Sequence, residues 1–382
     1  IQACDWSSDV CSSDLIDIHP DLLVIGITGS SGKTSTKDLL GGVLELVGPT
    51  IAPMGSLNSE VGVPLTVCRV TEDTRHLVVE MGARGIGHIR YLTTMAPPRI
   101  GVVLNVGTAH VGEFGSREAI AVAKAELVEA LPKEGLAVLN ADDPAVRAMA
   151  ERTAARVVLV GESAEAHVRA ADVRVDEHGR ASFHLETPAG EADVSLSLVG
   201  RHHVGNALAV VAVALEAGMP LGQVADALGV ARPVSRWRME VTVRDDGVTV
   251  VNDAYNANPD SMRAALSALE AMSAGRRSWA VLGSMLELGE DSEAEHAQVG
   301  AFAAAHGVDE LLVVGEVATP IAAGASGTGA DGIRVRTVPD ADAAGAILRA
   351  ELRRGDVVLF KSSRDAGLRW LGESVAGVEG GR

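Results

Sequence analysis

Residues Gly29-Ser30-Ser31-Gly32-Lys33-Thr34 have the types and spacing to hold phosphate. Glycines let a backbone curl until its N–H groups point at one centre. A lysine and a threonine just behind them can reach phosphate oxygens and Mg²⁺. The longer eight-residue form of the pattern is broken by Ile27 at its first glycine position, but the shorter Gly-x-x-Gly-Lys-Thr form holds. A glycine-rich turn with an incidental lysine is the plain alternative. The flanks favour phosphate: residues 22–27 read as an apolar strand and 34–46 as a helix, so Gly29, Ser31, Gly32, Lys33 and Thr34 would face a nucleotide at a helix N-terminus. Glu80 is the second candidate. It closes the apolar run Leu77-Val78-Val79, and a carboxylate at the carboxyl end of a strand in an α/β sheet lies beside the ligand crevice. With Thr34 it would hold Mg²⁺ through oxygen ligands; a solvated strand-end charge is the alternative.

These side chains need a scaffold, and the hydrophobic pattern supplies one. Strands are expected at 77–80, 100–105, 137–140 and 157–160, with helices between several of them, notably 118–131. Alternation of this kind implies a largely parallel α/β sheet. Residues 168–199 alternate apolar and polar with Gly/Pro turns, as antiparallel strands do, and 203–229 return to helix. A boundary is expected near Arg232-Pro233. After a hairpin around Asp245-Asp246-Gly247, strands at 279–283, 311–315, 333–338 and 357–360 alternate with Ala-rich helices in a Rossmann-like pattern. The expected fold class is therefore α/β. A phosphate-loop domain over 16–232, its mostly parallel sheet carrying an antiparallel segment, precedes a second domain over 233–382. The run Gly-Ala-Ser-Gly-Thr-Gly-Ala at 324–330 reads as a surface loop.

Bulk composition narrows the class. A net charge of −18 over 382 residues argues against DNA or an anionic membrane as the main partner, so an anionic ligand must be held by local devices. Three cysteines are too few for a disulfide framework and fit a reducing cytosol. No apolar run approaches the roughly 18 residues of a membrane span. Of the 33 basic residues only five are lysines, namely Lys33, Lys37, Lys124, Lys133 and Lys361. A lysine kept in so arginine-rich a chain is a signal in itself.

Further motifs follow in order. Thr28–Thr34 resembles the phosphate loop of the Mur ligases. Gly55-Ser56-Leu57-Asn58-Ser59-Glu60-Val61-Gly62, Val79-Glu80-Met81-Gly82, Leu104-Asn105-Val106-Gly107-Thr108-Ala109-His110, Ala123-Lys124-Ala125-Glu126 and Val199-Gly200-Arg201-His202-His203-Val204-Gly205-Asn206 resemble later segments of the same family. Asn252-Asp253-Ala254-Tyr255-Asn256-Ala257-Asn258-Pro259-Asp260-Ser261 and Val281-Leu282-Gly283-Ser284-Met285-Leu286-Glu287 are similar to its D-alanyl-D-alanine-adding branch. The resemblance covers about 22–365. Three departures stand out: Ser284 where the family usually has Asp, Ser362 where Gly is usual, and Asp365-Ala366-Gly367.

The resemblance implies an ATP-dependent acid–amino acid ligase. It would join D-alanyl-D-alanine to UDP-MurNAc-tripeptide through an acyl phosphate, in peptidoglycan precursor synthesis, as a cytoplasmic monomer. It implies roles for Lys33, Glu80, His110 and Lys124 in catalysis, with Thr34, Glu80, His110 and Lys124 at Mg²⁺. Lys124 would act as a carbamate formed with CO₂, which requires a primary amine that Arg cannot supply. An exposed helix lysine paired with Glu126 or Glu129 is the alternative. His202 and Asn206 would contact adenine, Asn206 alternatively capping a helix. Arg238, Asp253 and Tyr255 would reach ATP from the second domain. Asn58, Asn256, Asn258 and Ser261 would orient phosphates or peptide, or serve as turn residues. Lys361 and Arg364 would hold the dipeptide carboxylate. Sites drawn from two domains imply closure as a gate.

Two other outcomes stay open: a related ligase of the folylpolyglutamate synthase kind, which the Tyr-Asn-Ala-Asn-Pro segment argues against, and an ATP-binding fragment without ligase activity. A phosphate-loop motor or GTPase is disfavoured by the motifs at 199–207 and 252–261. The fragment reading has a reason. Family members begin with a UDP-binding domain, and here only Ile1–Leu15 precede the phosphate-loop domain. That stretch, IQACDWSSDVCSSDL, resembles translated sequencing adapter and is expected to be non-native, in an N-terminally truncated chain.

Overall fold

The computed structural model describes residues 16, 19–107, 111–329 and 332–378. Two sheets carry the fold. The first has nine strands in the order β2-β3-β1-β4-β5-β6-β7-β8-β9. They are β1 Leu23–Thr28, β2 Thr50–Ile51, β3 His76–Glu80, β4 Ile100–Val103, β5 Leu136–Asn140, β6 Arg156–Gly161, β7 Val168–Val175, β8 Arg180–Thr187 and β9 Gly190–Val199. Pairing is parallel through the β6–β7 contact, and β7, β8 and β9 then run antiparallel.

The second sheet has six strands in the order β10-β11-β15-β12-β13-β14: β10 Glu240–Val243, β11 Thr249–Asn252, β12 Ser278–Leu282, β13 Glu310–Val314, β14 Arg334–Val338 and β15 Val357–Lys361. Only the β10–β11 hairpin is antiparallel. The α/β class, with its antiparallel segment and second sheet, is as the sequence pattern implies.

The central strands are apolar on both faces because both faces are covered. On one side of the first sheet, Leu39, Leu40 and Val43 of the Lys33–Leu44 helix join the nearly all-buried His203–Glu216 helix over Ile25, Ile27 and Val102. On the other, the His88–Met95 and Arg117–Glu129 helices lay Ile89, Leu92, Leu127 and Val128 against Val24, Leu77 and Val79. The second sheet repeats the arrangement, with Met262, Leu266 and Val299 on one face and Ala344, Leu348 and Leu371 on the other.

Strand order reverses about β1, with β3 on one side and β4 on the other. Ile27 pairs with Glu80 and Thr28 with Val103. The loops leaving these three carboxyl ends are therefore brought to one crevice, the usual place for a ligand in an open α/β sheet.

Two expectations are corrected. The helical stretch at 203–229 is two helices, His203–Glu216 and Leu221–Val230. Gly218 turns left-handed at φ 85°, and Pro220 starts the second helix because it has no N–H with which to continue the first. The run at 324–330 is not a plain surface loop, since 324–327 close the Thr319–Gly327 helix. A Cβ on Gly324 would come within 1.9 Å of the Ala297 carbonyl oxygen, and one on Gly300 within 1.8 Å of that of Ile321. The glycines there let two helix backbones touch. Residues 1–15 lie outside the described residues, so the leader is not addressed by the structure. Among the described residues no helix is long and apolar enough to cross a membrane.

Candidate active site

The phosphate loop follows β1. Gly32 precedes the Lys33–Leu44 helix with φ 84°, a conformation glycine adopts without strain, and a Cβ there would meet the Asn206 side-chain oxygen at 2.7 Å. Lys33 folds back so that Nζ donates to the Gly29 carbonyl at 2.6 Å. The segment after β4 clamps the loop. Ser31 N–H donates to Asn105 Oδ1 at 2.9 Å, Asn105 Nδ2 returns a bond to the Ser31 carbonyl at 3.1 Å, and Gly107 N–H donates to Ser30 Oγ at 2.9 Å. Asn105 and Ser30 are positioning residues that motif reading quoted but did not single out. Polar residues immediately after a strand were the available signal.

Glu80, at the end of β3, is fully buried, which removes the reading of a solvated charge. Oε2 receives a long bond from Asn58 Nδ2, 3.5 Å, and Oε1 has no hydrogen-bond partner among the described residues. Burial pushes its carboxyl above the ordinary carboxylate range, while the charges of Lys33, Lys37 and Arg238 and a hydrogen bond from Thr34 pull the other way. Such an oxygen is costly in a dry site unless a cation meets it. Mg²⁺ is commonly held by one or two carboxylates plus substrate phosphates and waters, so Glu80 and Thr34 fit it. Among the described residues no group of three or more His, Cys, Asp or Glu could hold a metal by itself.

Lys124 is buried in the Arg117–Glu129 helix, 5 % exposed. Burial, and after it the neighbouring Lys33 charge, lower its ammonium well below the ordinary lysine value. The alternative of an exposed pair fails on partners as well. Glu126 accepts the Gly87 and Arg90 backbone N–H groups, and Glu129 pairs with Arg90 and Arg152. His110 lies outside the described residues.

Asn206 is the fourth residue of its helix and does not cap it; its amide abuts Gly32 and bonds His203 at 3.4 Å. His202 is exposed at the head of that helix.

The second sheet reaches in from above. Arg238 Nη2 donates to Thr34 Oγ1 at 3.2 Å, and its guanidinium lies 4.4 Å from the Tyr255 ring centre. Tyr255 shares a 2.8 Å hydroxyl bond with Ser56, and Gly112 N–H donates to the Glu287 carbonyl at 3.2 Å. Trp237 stacks on Tyr255, with ring centres 6.2 Å apart, and was missed because no motif of the resemblance contains it.

Three expected ligand-binding residues, Lys361, Asn258 and Ser261, are otherwise engaged. Lys361 is 2 % exposed; Nζ donates to Asp253 Oδ2 at 2.5 Å and to the Asn256 carbonyl at 3.0 Å, so this cation holds Asp253 in place. Asp253 also accepts Met239 N–H at 3.1 Å. Asn258 and Ser261 form a reciprocal capping box at the start of the Pro259–Met272 helix. Asn256 is exposed on a loop, and Arg364 is exposed at the start of a short 3-10 helix, Arg364–Ala366. The departures Ser284 and Ser362 lie together: Ser363 N–H donates to the Ser284 carbonyl at 2.9 Å, while Ser362 packs its Cβ against Gly283.

Comparison with known proteins agrees with this geometry. Residues 27–214 match the Mur ligase middle domain, and 237–364 match the Mur ligase, glutamate ligase domain. The UDP-N-acetylmuramoyl-tripeptide–D-alanyl-D-alanine ligase of Mycobacterium tuberculosis is 56 % identical over 364 residues, covering 91 % of this chain and 71 % of that protein. The ligase of the same name from Escherichia coli is 36 % identical, covering 80 % of this chain and 67 % of that protein. Crystal structures of MurF superpose closely. The Acinetobacter baumannii enzyme gives a TM-score of 0.87 at 30 % identity, covering 97 % of this chain and 80 % of that one. The Thermotoga maritima enzyme in complex with ADP gives 0.85 at 28 %, covering 99 % and 84 %. With both domain models matched in order and relatives this similar, the chain belongs to the Mur ligase family.

Proposed function

We propose that the chain joins D-alanyl-D-alanine to UDP-MurNAc-tripeptide at the expense of ATP, in the cytoplasm, during peptidoglycan precursor synthesis. The observation that carries this reading is the meeting of Lys33, Thr34, buried Glu80 and Arg238 at one crevice between two sheets. Residues 16–232 would form the ATP-binding unit and 233–382 the unit that closes on it.

A peptide carboxylate is a poor electrophile. Attack of one of its oxygens on the γ-phosphorus of ATP makes an acyl phosphate, and ADP leaves with the electron pair of the broken β–γ bond; the dipeptide amine then attacks the carbonyl carbon, phosphate leaves with the bonding pair, and the amine loses a proton. Several anionic oxygens gather during both steps, and Lys33, Arg238 and the loop N–H groups are placed to offset them in a partly dry site. Mg²⁺, held by Thr34 and Glu80 with His110 as a further ligand, would supply charge neutralisation on the phosphates. His202 and Asn206 would contact the base end of the nucleotide. Asp253, steadied by Lys361, and Tyr255 would face it from the second unit. Asn58 would orient the substrate side, and exposed Arg364 suits the dipeptide carboxylate.

Lys124 is assigned as a carbamate. Only the neutral amine attacks CO₂, and burial beside Lys33 favours that form. The product, a carbamate anion with release of one proton, turns repulsion from Lys33 into attraction.

Phosphate release with ATP, Mg²⁺, UDP-MurNAc-tripeptide and D-alanyl-D-alanine tests the reaction. Release should depend on the dipeptide and fail with glutamate in its place; release with glutamate alone would overturn the substrate assignment. Lys124→Ala should abolish release, and short carboxylic acids should restore part of it. Full activity of Lys124→Ala without additive would overturn the carbamate.

A further inference from the structure

Lys37 is given no ligand role above, although its charge acts on Glu80, and it is among the largest fully buried side chains of the molecule. It lies one turn beyond Lys33 on the same helix. Its Nζ donates to the Pro53 carbonyl and pairs with the carboxylate of its neighbour Asp38. The other Asp38 oxygen accepts the backbone N–H of Ser235 at 2.9 Å.

Both anchored points are backbone atoms of segments that carry site residues. Pro53 precedes Ser56, which holds Tyr255, and Asn58, which touches Glu80. Ser235 is itself buried, 8 % exposed, and stands three residues before Arg238, whose guanidinium reaches Thr34. On either side of Arg238 the chain is held in an unusual path, since Trp237 and Met239 both have left-handed φ, 59° and 49°. A non-glycine residue bears that conformation at a cost and needs surroundings that hold it. A buried ion pair is seldom the most stable filling for such a space. Its use here is that two adjacent residues, about 100° apart around a helix, reach two separate segments from one place.

We propose that the Lys37–Asp38 pair is a positioning device that couples the 53–58 loop to the linker at 235–238. The setting of Asn58 on Glu80 and the arrival of Arg238 on Thr34 then depend on each other. This rests on the reading of the crevice as a nucleotide site.

The test uses the whole chain and the double variant Lys37→Met/Asp38→Leu, which replaces both charged side chains by apolar ones. Exchange of a buried ion pair for apolar residues is often neutral or stabilising, so thermal unfolding should stay cooperative. Hydrogen exchange should quicken in both 53–58 and 235–238, and affinity for Mg-ADP should fall on the order of tenfold as Arg238 loses its seat. A merely structural pair would leave Mg-ADP affinity at the parent value, and that result overturns the proposal. Lys37→Met alone should quicken exchange at Ser235 as well as in the loop; quickening in the loop alone shows two independent tethers and also overturns it. If the parent chain binds no Mg-ADP, the nucleotide reading has failed. If the parent binds and the double variant binds equally, the coupling has failed.

Discussion

Glu80 and Lys361 hold matching places in the two halves of the molecule. Each ends a buried parallel strand at the carboxyl edge of its sheet, and each is almost wholly enclosed. Their surroundings differ. Glu80 keeps one oxygen without a partner among the described residues, and its carboxyl is pushed up by burial. Lys361 meets the Asp253 carboxylate and the Asn256 carbonyl. The first region is arranged for charge that arrives with a ligand, whereas the second satisfies its own charge and presents Asp253 and Arg238 at fixed positions. The contrast teaches that a charged residue at a strand end is open to a ligand only where the fold leaves it unsatisfied.

The largest effect expected from breaking this contrast is at Glu80. Glu80→Gln keeps the shape and removes the charge that would meet Mg²⁺, so dipeptide-dependent phosphate release should drop on the order of 100- to 1,000-fold, the loss typical of one electrostatic group in a dry site. Turnover within a few-fold of the parent would mean that the unpartnered oxygen is not a metal ligand.

At Lys361 the cost should appear as stability first. Lys361→Met leaves Asp253 without its buried counter-charge and should lower unfolding free energy by about 3 kcal/mol. Denaturant unfolding of Lys361→Met and of Lys361→Met/Asp253→Asn tests this. The second change should recover part of the loss, and equal losses in both would show that the ion pair is not what holds the segment.

Acid sharpens the comparison, because each region buries a histidine that must stay neutral. Burial, with His202 adding to it, holds His203 in the first region well below its ordinary 6.5, and burial lowers His296 in the second. Below the ordinary value the unfolded chain takes up protons that the folded chain refuses, so stability falls as pH drops from about 6.5 toward the lowered values and is fully present above about 6.5. His203→Asn and His296→Asn should each flatten part of that loss in melting temperature against pH. An unchanged slope in one variant would clear that region of the acid response.

The smallest effect is expected at the capping box. Asn258→Ala should cost about 1 kcal/mol of stability and leave substrate affinity unchanged. A selective rise in KM without a fall in stability would return Asn258 to the ligand site.

The sequence by itself determined most of the elements and the place of the phosphate loop between a strand and a helix. Strand periodicity, glycine spacing and the order of motifs are local, and local chemistry suffices to place a phosphate loop between a strand and a helix. The same was true of the conspicuous lysines, for in an arginine-rich chain a retained Lys33 or Lys124 carries its own signal. Tertiary structure alone decided which charges are free. Lys361 looked like a ligand-binding cation until packing set it on Asp253, and nothing local showed that Lys37 would bond Pro53 while its neighbour Asp38 bonded Ser235, 197 residues away. Asn258 and Ser261 could have faced a ligand or a helix end, and only the start of the Pro259–Met272 helix settled their bonds. The physical reason is that a residue's type sets what bonds it can make, while burial and the nearest partners, which come from distant parts of the chain, set which of them it makes.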